Sequence, residues 1–128
     1  RCSRLQQEDL IAVEVMMILT PGEESRIREK MRIYQQRRKE KQPLEYPSAG
    51  SVFRRPPSDY AGRLIEASGL RGKRIGRAEV SEKHAGFIIN LGGATARDVL
   101  TLIDLIKKEV AARFHVDLET EIRVIGEE

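Results

Sequence analysis

Residues 95–116 constrain the fold of this chain more than any other stretch. Thr95 stands where a helix needs its N-cap, and Asp98 follows at the third helical position. From there a carboxylate returns a bond to the cap and favours the positive end of the helix dipole. Val99, Leu102, Ile103, Ile106, Val110 and Phe114 then recur at intervals of three and four, which gives one apolar face. Lys107, Lys108 and Arg113 lie in the basic C-terminal half, and His115 and Val116 leave the helix. Such a helix cannot bury its apolar face alone. It demands a second layer.

The candidates for that layer are short. Residues 78–81 and 86–91 read as two strands joined by Glu82-Lys83-His84 and ended by Gly92-Gly93. Residues 121–125 read as a final strand, with Ile122 and Val124 on one face and Glu121, Arg123 and Ile125 on the other. Before them, Ser58 or Asp59 is placed to cap a short helix through about Ser68, with Ala61, Leu64 and Ile65 facing inward. Gly69 sits at the left-handed C-cap position, Leu70 can fold back, and Arg71-Gly72-Lys73 makes a turn. The order after residue 48 is loop, helix, strand, strand, helix, strand. That order predicts an α+β domain, a small antiparallel or mixed sheet covered by helices.

Upstream the pattern changes. Residues 10–19 read as a strand that is apolar on both faces except at Glu14. Such a strand wants cover on both sides, and few neighbouring strands precede Ala78, so it reads as an orphan of a larger sheet. Thr20-Pro21-Gly22-Glu23 reads as a capped helix start, with the helix running to about Lys41 and Pro43 closing the segment. Ile27, Met31 and Tyr34 form a narrow stripe on it, and Glu24 and Arg28 are spaced for an ion pair.

Eight basic residues fall between Arg26 and Lys41, in a chain whose net charge is +3. A run like this faces nucleic acid, a phosphorylated metabolite, or simply solvent. No zinc-finger or aromatic-interleaved pattern supports the nucleic-acid reading. The apolar run 10–19 is too short to span a bilayer, and charged residues make up 34% of the chain, so no membrane role is expected. The single cysteine, Cys2, excludes an internal disulfide and leaves no thiolate cluster for a metal. It agrees with a reducing, cytoplasmic setting. There is no targeting signal to read. The start at Arg1-Cys2-Ser3-Arg4 reads as part of something longer.

Chemistry concentrates at Pro47-Ser48-Ala49-Gly50-Ser51-Val52-Phe53-Arg54-Arg55-Pro56-Pro57. Three prolines and Gly50 punctuate the backbone, and between them stand the Ser51 hydroxyl and two guanidiniums. The stretch fits a small polar or phosphate-bearing ligand, and it equally fits a plain structural turn. Glu121 reads on the same terms as an edge-strand glutamate paired with Arg123.

Those residues, together with 61–66, 69–72, 75–81, 84–90, 94–99 and 118–126, resemble the C-terminal part of the UDP-N-acetylenolpyruvoylglucosamine reductase family (UDP-N-acetylmuramate dehydrogenase, MurB). The motifs include Ala49-Gly50-Ser51-Val52-Phe53, His84-Ala85-Gly86-Phe87 and Leu118-Glu119-Thr120-Glu121-Ile122-Arg123. The resemblance implies that 1–47 is the tail of the second flavin-binding domain with a basic linker helix. It implies that 48–128 is the C-terminal UDP-sugar substrate-binding domain. The implied reaction is the NADPH-driven, FAD-dependent reduction of UDP-N-acetylglucosamine enolpyruvate to UDP-N-acetylmuramate, an oxidoreductase step of peptidoglycan and cell-wall synthesis tied to cell shape, cell cycle and cell division. FAD would be bound mainly by an N-terminal flavin-binding region absent from this chain, which alone is expected to be inactive.

The resemblance also carries roles residue by residue. Ser51 matches a serine that protonates the substrate carbanion, and Glu121 a glutamate that assists at the same centre. Arg1 matches an arginine that holds charge on the substrate carboxylate. Lys41 matches a lysine that contacts the nucleotide-sugar. Arg55 replaces an asparagine and is placed to reach diphosphate. His84 and Asn90 shape the turn and strand, and no metal is expected. The alternatives are a non-catalytic nucleotide-sugar-binding fragment or a basic nucleic-acid-binding α+β module.

Overall fold

The computed structural model describes residues 4–8 and 10–126. In chain order its elements are α1 (Arg4–Gln7), α2 (Glu24–Lys41), β1 (Ser48–Ser51), α3 (Ala61–Ala67), β2 (Arg74–Ile75), β3 (Ala78–Val80), β4 (Phe87–Asn90) and α4 (Ala96–Phe114). Contacts divide the chain into two units, one ending at Ile33 and one beginning at Tyr34, within α2.

In the first unit, residues 10–19 form no strand, contrary to the sequence reading. A strand exists only where a neighbour takes up its N–H and C=O groups, and none among the described residues does so. Val13 and Ile18 are accordingly 94% and 98% exposed. The α2 helix starts at Glu24, after the expected Pro21, and buries none of its residues. The Ile27, Met31 and Tyr34 stripe is too narrow against so many charged neighbours. The expected Glu24–Arg28 pair is present at 2.6 Å.

The second unit is built on an antiparallel four-stranded sheet of order β1-β4-β3-β2. The α4 helix packs across β2 and β3 and against α3. Its expected cap forms in full: Thr95 Oγ1 accepts from the Asp98 N–H at 3.1 Å, and Asp98 Oδ2 accepts from the Thr95 N–H at 3.0 Å. Leu102, Ile103, Ile106 and Val110 are buried as the spacing requires, and each fully buried aliphatic side chain contributes about 1.5–3 kcal/mol. Phe114, assigned to the same face, is only half-buried, because the helix ends there at a left-handed His115.

Two starts differ from expectation. The α3 helix is preceded by Tyr60 with no side-chain cap. The Asp59 carboxylate is already taken by the Tyr60 N–H and by Arg63. The C-terminus of α3 behaves as its sequence demands. Gly69 has φ 73°, its N–H donates to Glu66, and the Leu70 N–H reaches back to Ile65, which is the Schellman arrangement.

The second difference is β1, a strand where the sequence predicts loop. Ser48 faces Ile89 and Ser51 faces Phe87, so two residues of β1 oppose one of β4. Gly50, at φ 85°, makes this bulge possible. Conversely, the expected strand at 121–125 reduces to one bridge between Phe53 and Thr120. Beyond it Val124 and Ile125 are exposed.

Candidate functional site

Backbone pairing brings the N-terminal and C-terminal motifs of the second unit together. The Val52 N–H donates to the Gly86 carbonyl at 2.9 Å, the Glu121 N–H to the Val52 carbonyl at 2.8 Å, and the Arg54 N–H to the Glu119 carbonyl at 2.9 Å. Val52 and Phe53 are buried, which anchors this crossing in the core. The bulge in β1 re-aims the chain immediately before it, as bulges beside functional sites do.

The result is an open cleft of about 440 Å³ whose lining includes Ser51, Arg55, Tyr60, Arg63, His84 and Glu121. Three residues singled out from the sequence, Ser51, Arg55 and Glu121, therefore share one cavity although they come from separate parts of the chain. The Ser51 hydroxyl donates to the Phe53 carbonyl at 3.3 Å. That is longer than the usual O–H···O range, so the hydroxyl is lightly held and can turn to a ligand. Glu121 is exposed. It makes no ion pair with Arg123 among the described residues.

The cleft is rich in cations. The Arg55 guanidinium lies 4.0 Å from the centroid of the Tyr60 ring, a stacking contact that holds it flat. Arg63 pairs with Asp59, and Arg71 with Glu66 at 2.8 Å. Lys83 reaches Glu45 at 3.2 Å. Among the described residues, Arg55 is the cleft cation without a carboxylate partner. The hydrogen bond from Arg63, then the Tyr60 N–H, holds the Asp59 carboxyl down at about 2. Tyr60, Arg63, Arg71 and Lys83 were not singled out from sequence. The signal available was the Asp59-to-Arg63 spacing of four at the start of α3.

A second cleft of about 670 Å³ shares Ser51 and His84 and is lined further by Arg38, Gln42, Tyr46 and Phe87. Lys41 lies exposed in the last turn of α2, beside Gln42 but outside the lining of either cleft. Arg1 lies outside the described residues. Asn90 is a loop former: its Oδ1 accepts from the N–H groups of Gly92 and Ala94 at 2.8 and 3.0 Å. No group of three or more His, Cys, Asp or Glu side chains among the described residues could hold a metal. None of the described helices is long and apolar enough to cross a membrane.

Residues 42–125 match the family model of the UDP-N-acetylenolpyruvoylglucosamine reductase C-terminal domain. A UDP-N-acetylenolpyruvoylglucosamine reductase 2 of Symbiobacterium thermophilum is 55% identical over 98% of this chain and 41% of its own length. The corresponding reductase of Alkaliphilus oremlandii is 54% identical over 100% of this chain and 42% of its own length. The chain thus spans about two fifths of these relatives. The crystal structure of the UDP-N-acetylenolpyruvylglucosamine reductase of Thermus caldophilus is similar at a TM-score of 0.59. It is 39% identical, covering 76% of this chain and 34% of that one. The chain belongs to the family of UDP-N-acetylenolpyruvoylglucosamine reductase C-terminal domains.

Proposed function

We propose that this chain supplies the substrate domain of a flavoprotein that reduces UDP-N-acetylglucosamine enolpyruvate to UDP-N-acetylmuramate in the cytoplasm, during peptidoglycan precursor synthesis. In this reading 48–128 is the substrate-binding domain and 1–47 the end of a preceding flavin-binding domain. The observation that carries it is the meeting of Ser51, Arg55 and Glu121 in one cation-rich cleft.

The described residues do not fit FAD by themselves. The cleft is open and measures about 440 Å³, too little to enclose a dinucleotide with its ring system. FAD is therefore assigned to a region outside this chain, and no residue here is given a role in holding it. When bound, FAD reduced by NADPH supplies the hydride for the enolpyruvyl double bond.

This chain's residues hold the substrate and move the proton. Arg55, stacked on Tyr60 and free of a carboxylate, faces the diphosphate. Lys41 contributes a more distant positive charge to the nucleotide-sugar. Addition of hydride to the methylene carbon leaves carbanion character on the carbon that bears the carboxylate. The Ser51 hydroxyl gives its proton to that carbon. A serine hydroxyl is a weak acid, and it serves only when held at bonding distance from a strongly basic transient centre. Glu121 assists the same transfer. By its match to the family arginine alone, Arg1 is assigned the charge that develops on the substrate carboxylate.

The test is Ser51→Ala in the full-length enzyme that contains this chain. Reduction of the flavin by NADPH is expected to stay at its normal rate, while its reoxidation by the enolpyruvyl substrate slows by about a hundredfold or more. Equal reoxidation rates in both enzymes reject the proton-donor role.

A further inference from the structure

His84 lines both clefts yet has no part in the chemistry above. Its ring sits where two glycines leave room. A Cβ at Gly62 would lie 3.3 Å from the imidazole Cε1, and one at Gly86 would lie 3.0 Å from it. Phe87 meets the ring edge-on, with centroids 4.9 Å apart. Nδ1 accepts from the Gly86 N–H at 3.1 Å, so the ring proton resides on Nε2.

Gly86 carries this contact onward from its N–H, across its Cα, to the next peptide unit. Its carbonyl accepts from the Val52 N–H, and the Val52 carbonyl accepts from the Glu121 N–H. Val52 is the residue after Ser51. One line of hydrogen bonds therefore runs from the imidazole through Gly86 and Val52 to Glu121, passing beside the Ser51 peptide.

We propose that His84 is a positioning residue: by accepting from the Gly86 N–H it aligns Ser51 and Glu121 with each other. The inference rests on the proposed roles of those two residues. Gly86 is buried, so loss of the acceptor leaves an orphaned amide that must turn to find a partner. Turning the Ala85–Gly86 peptide twists the Gly86 Cα and so shifts the next peptide, whose N–H donates to the His84 carbonyl at 2.9 Å and whose carbonyl holds Val52. The loop itself has another anchor. The buried Ser81 hydroxyl accepts from the N–H groups of Lys83 and His84 at 3.2 and 3.3 Å. Losing the imidazole therefore disturbs alignment more than folding.

The test uses the flavin-loaded, full-length enzyme with His84→Leu, which has no acceptor, and His84→Asn, whose Oδ1 takes the place of Nδ1. His84→Leu is expected to slow flavin reoxidation by the enolpyruvyl substrate on the order of tenfold to a hundredfold, as small misplacements of reacting groups do. Flavin reduction by NADPH stays unchanged, and His84→Asn recovers most of the lost rate. A fast His84→Leu enzyme beside a slow Ser51→Ala enzyme overturns the positioning role and leaves the proposed function standing. A fast Ser51→Ala enzyme overturns the proton-donor role of Ser51, and the positioning role falls with it. If His84→Leu does not fold, the nitrogen-15 spectrum of the wild-type imidazole decides. A bare Nδ1 with protonated Nε2 is expected, and a protonated Nδ1 overturns the proposal.

Discussion

The Glu121 N–H donates to the Val52 carbonyl over 2.8 Å, and this bond ties the C-terminal tail to the residue that follows Ser51. A carboxylate and a hydroxyl separated by seventy positions thereby open into one cleft. Replacing Glu121 by Gln keeps the backbone bond and the side-chain shape but removes the ionisable group. In the full-length enzyme, Glu121→Gln is expected to slow reoxidation of the flavin by substrate by about tenfold or more and to leave reduction by NADPH alone. Stopped-flow absorbance of the flavin separates the two steps, and unchanged reoxidation returns Glu121 to a structural role.

Asp59 and Arg63 form the ion pair at the start of α3. The folded carboxyl is depressed from 3.8 to about 2 by Arg63 and the Tyr60 N–H. A depressed carboxyl favours the folded state above its unfolded pKa. That contribution is fully present above about pH 4 and is lost as pH falls toward 2. Because the pair is solvent-exposed, its effect is small and screened by salt. Proton NMR titration should show Asp59 moving back toward 3.8 in Arg63→Leu; an unmoved titration would mean that Arg63 is not the cause.

Gly76 closes the β2–β3 hairpin at φ 55°, and a Cβ there would stand 2.5 Å from the Asp98 carboxylate. The hairpin is thus seated on the capping box of α4. Gly76→Ala combines left-handed strain of about 1–2 kcal/mol with displacement of that carboxylate. Gly69→Ala carries the strain alone, since nothing lies within 4 Å of its Cβ. Urea denaturation should rank Gly76→Ala as the less stable; equal midpoints would remove the contact with Asp98 from the account.

Leu102 is fully buried and Phe114 only partly so. Leu102→Ala is expected to cost about 2–5 kcal/mol, whereas Phe114→Ala should cost about 1–2 kcal/mol, reflecting partial burial. A Phe114 variant as unstable as the Leu102 variant would place its ring deeper than the half-buried position described.

Local interactions explain what was legible beforehand. The Thr95–Asp98 box, the apolar spacing of α4 and the Gly69 C-cap each involve residues within one or two turns, so their geometry follows from sequence spacing. The same holds for the strands around Ala78 and Phe87, where β-branched and aromatic residues cluster between glycines. The cap of α3 was not legible because the Asp59 carboxylate accepts from both the Tyr60 N–H and Arg63, and the second bond depends on where Arg63 points.

The family and its candidate residues were likewise legible, because Ala49-Gly50-Ser51 and the motif around Glu121 are contiguous. The resemblance implied one centre for Ser51 and Glu121, but the backbone pairing that brings them together was not legible. Strand pairing depends on hydrogen-bond partners that are distant in sequence. Ser48–Ser51 became a strand because β4 was there to receive it, while 10–19 and 122–126 found no partner among the described residues. The amino-acid sequence by itself determined that α2, α3 and α4 form, where they stop and which family the chain resembles. Only the tertiary structure decided that Ser51, Arg55, His84 and Glu121 line one cleft, because that depends on long-range pairing of Val52 with Gly86 and Glu121.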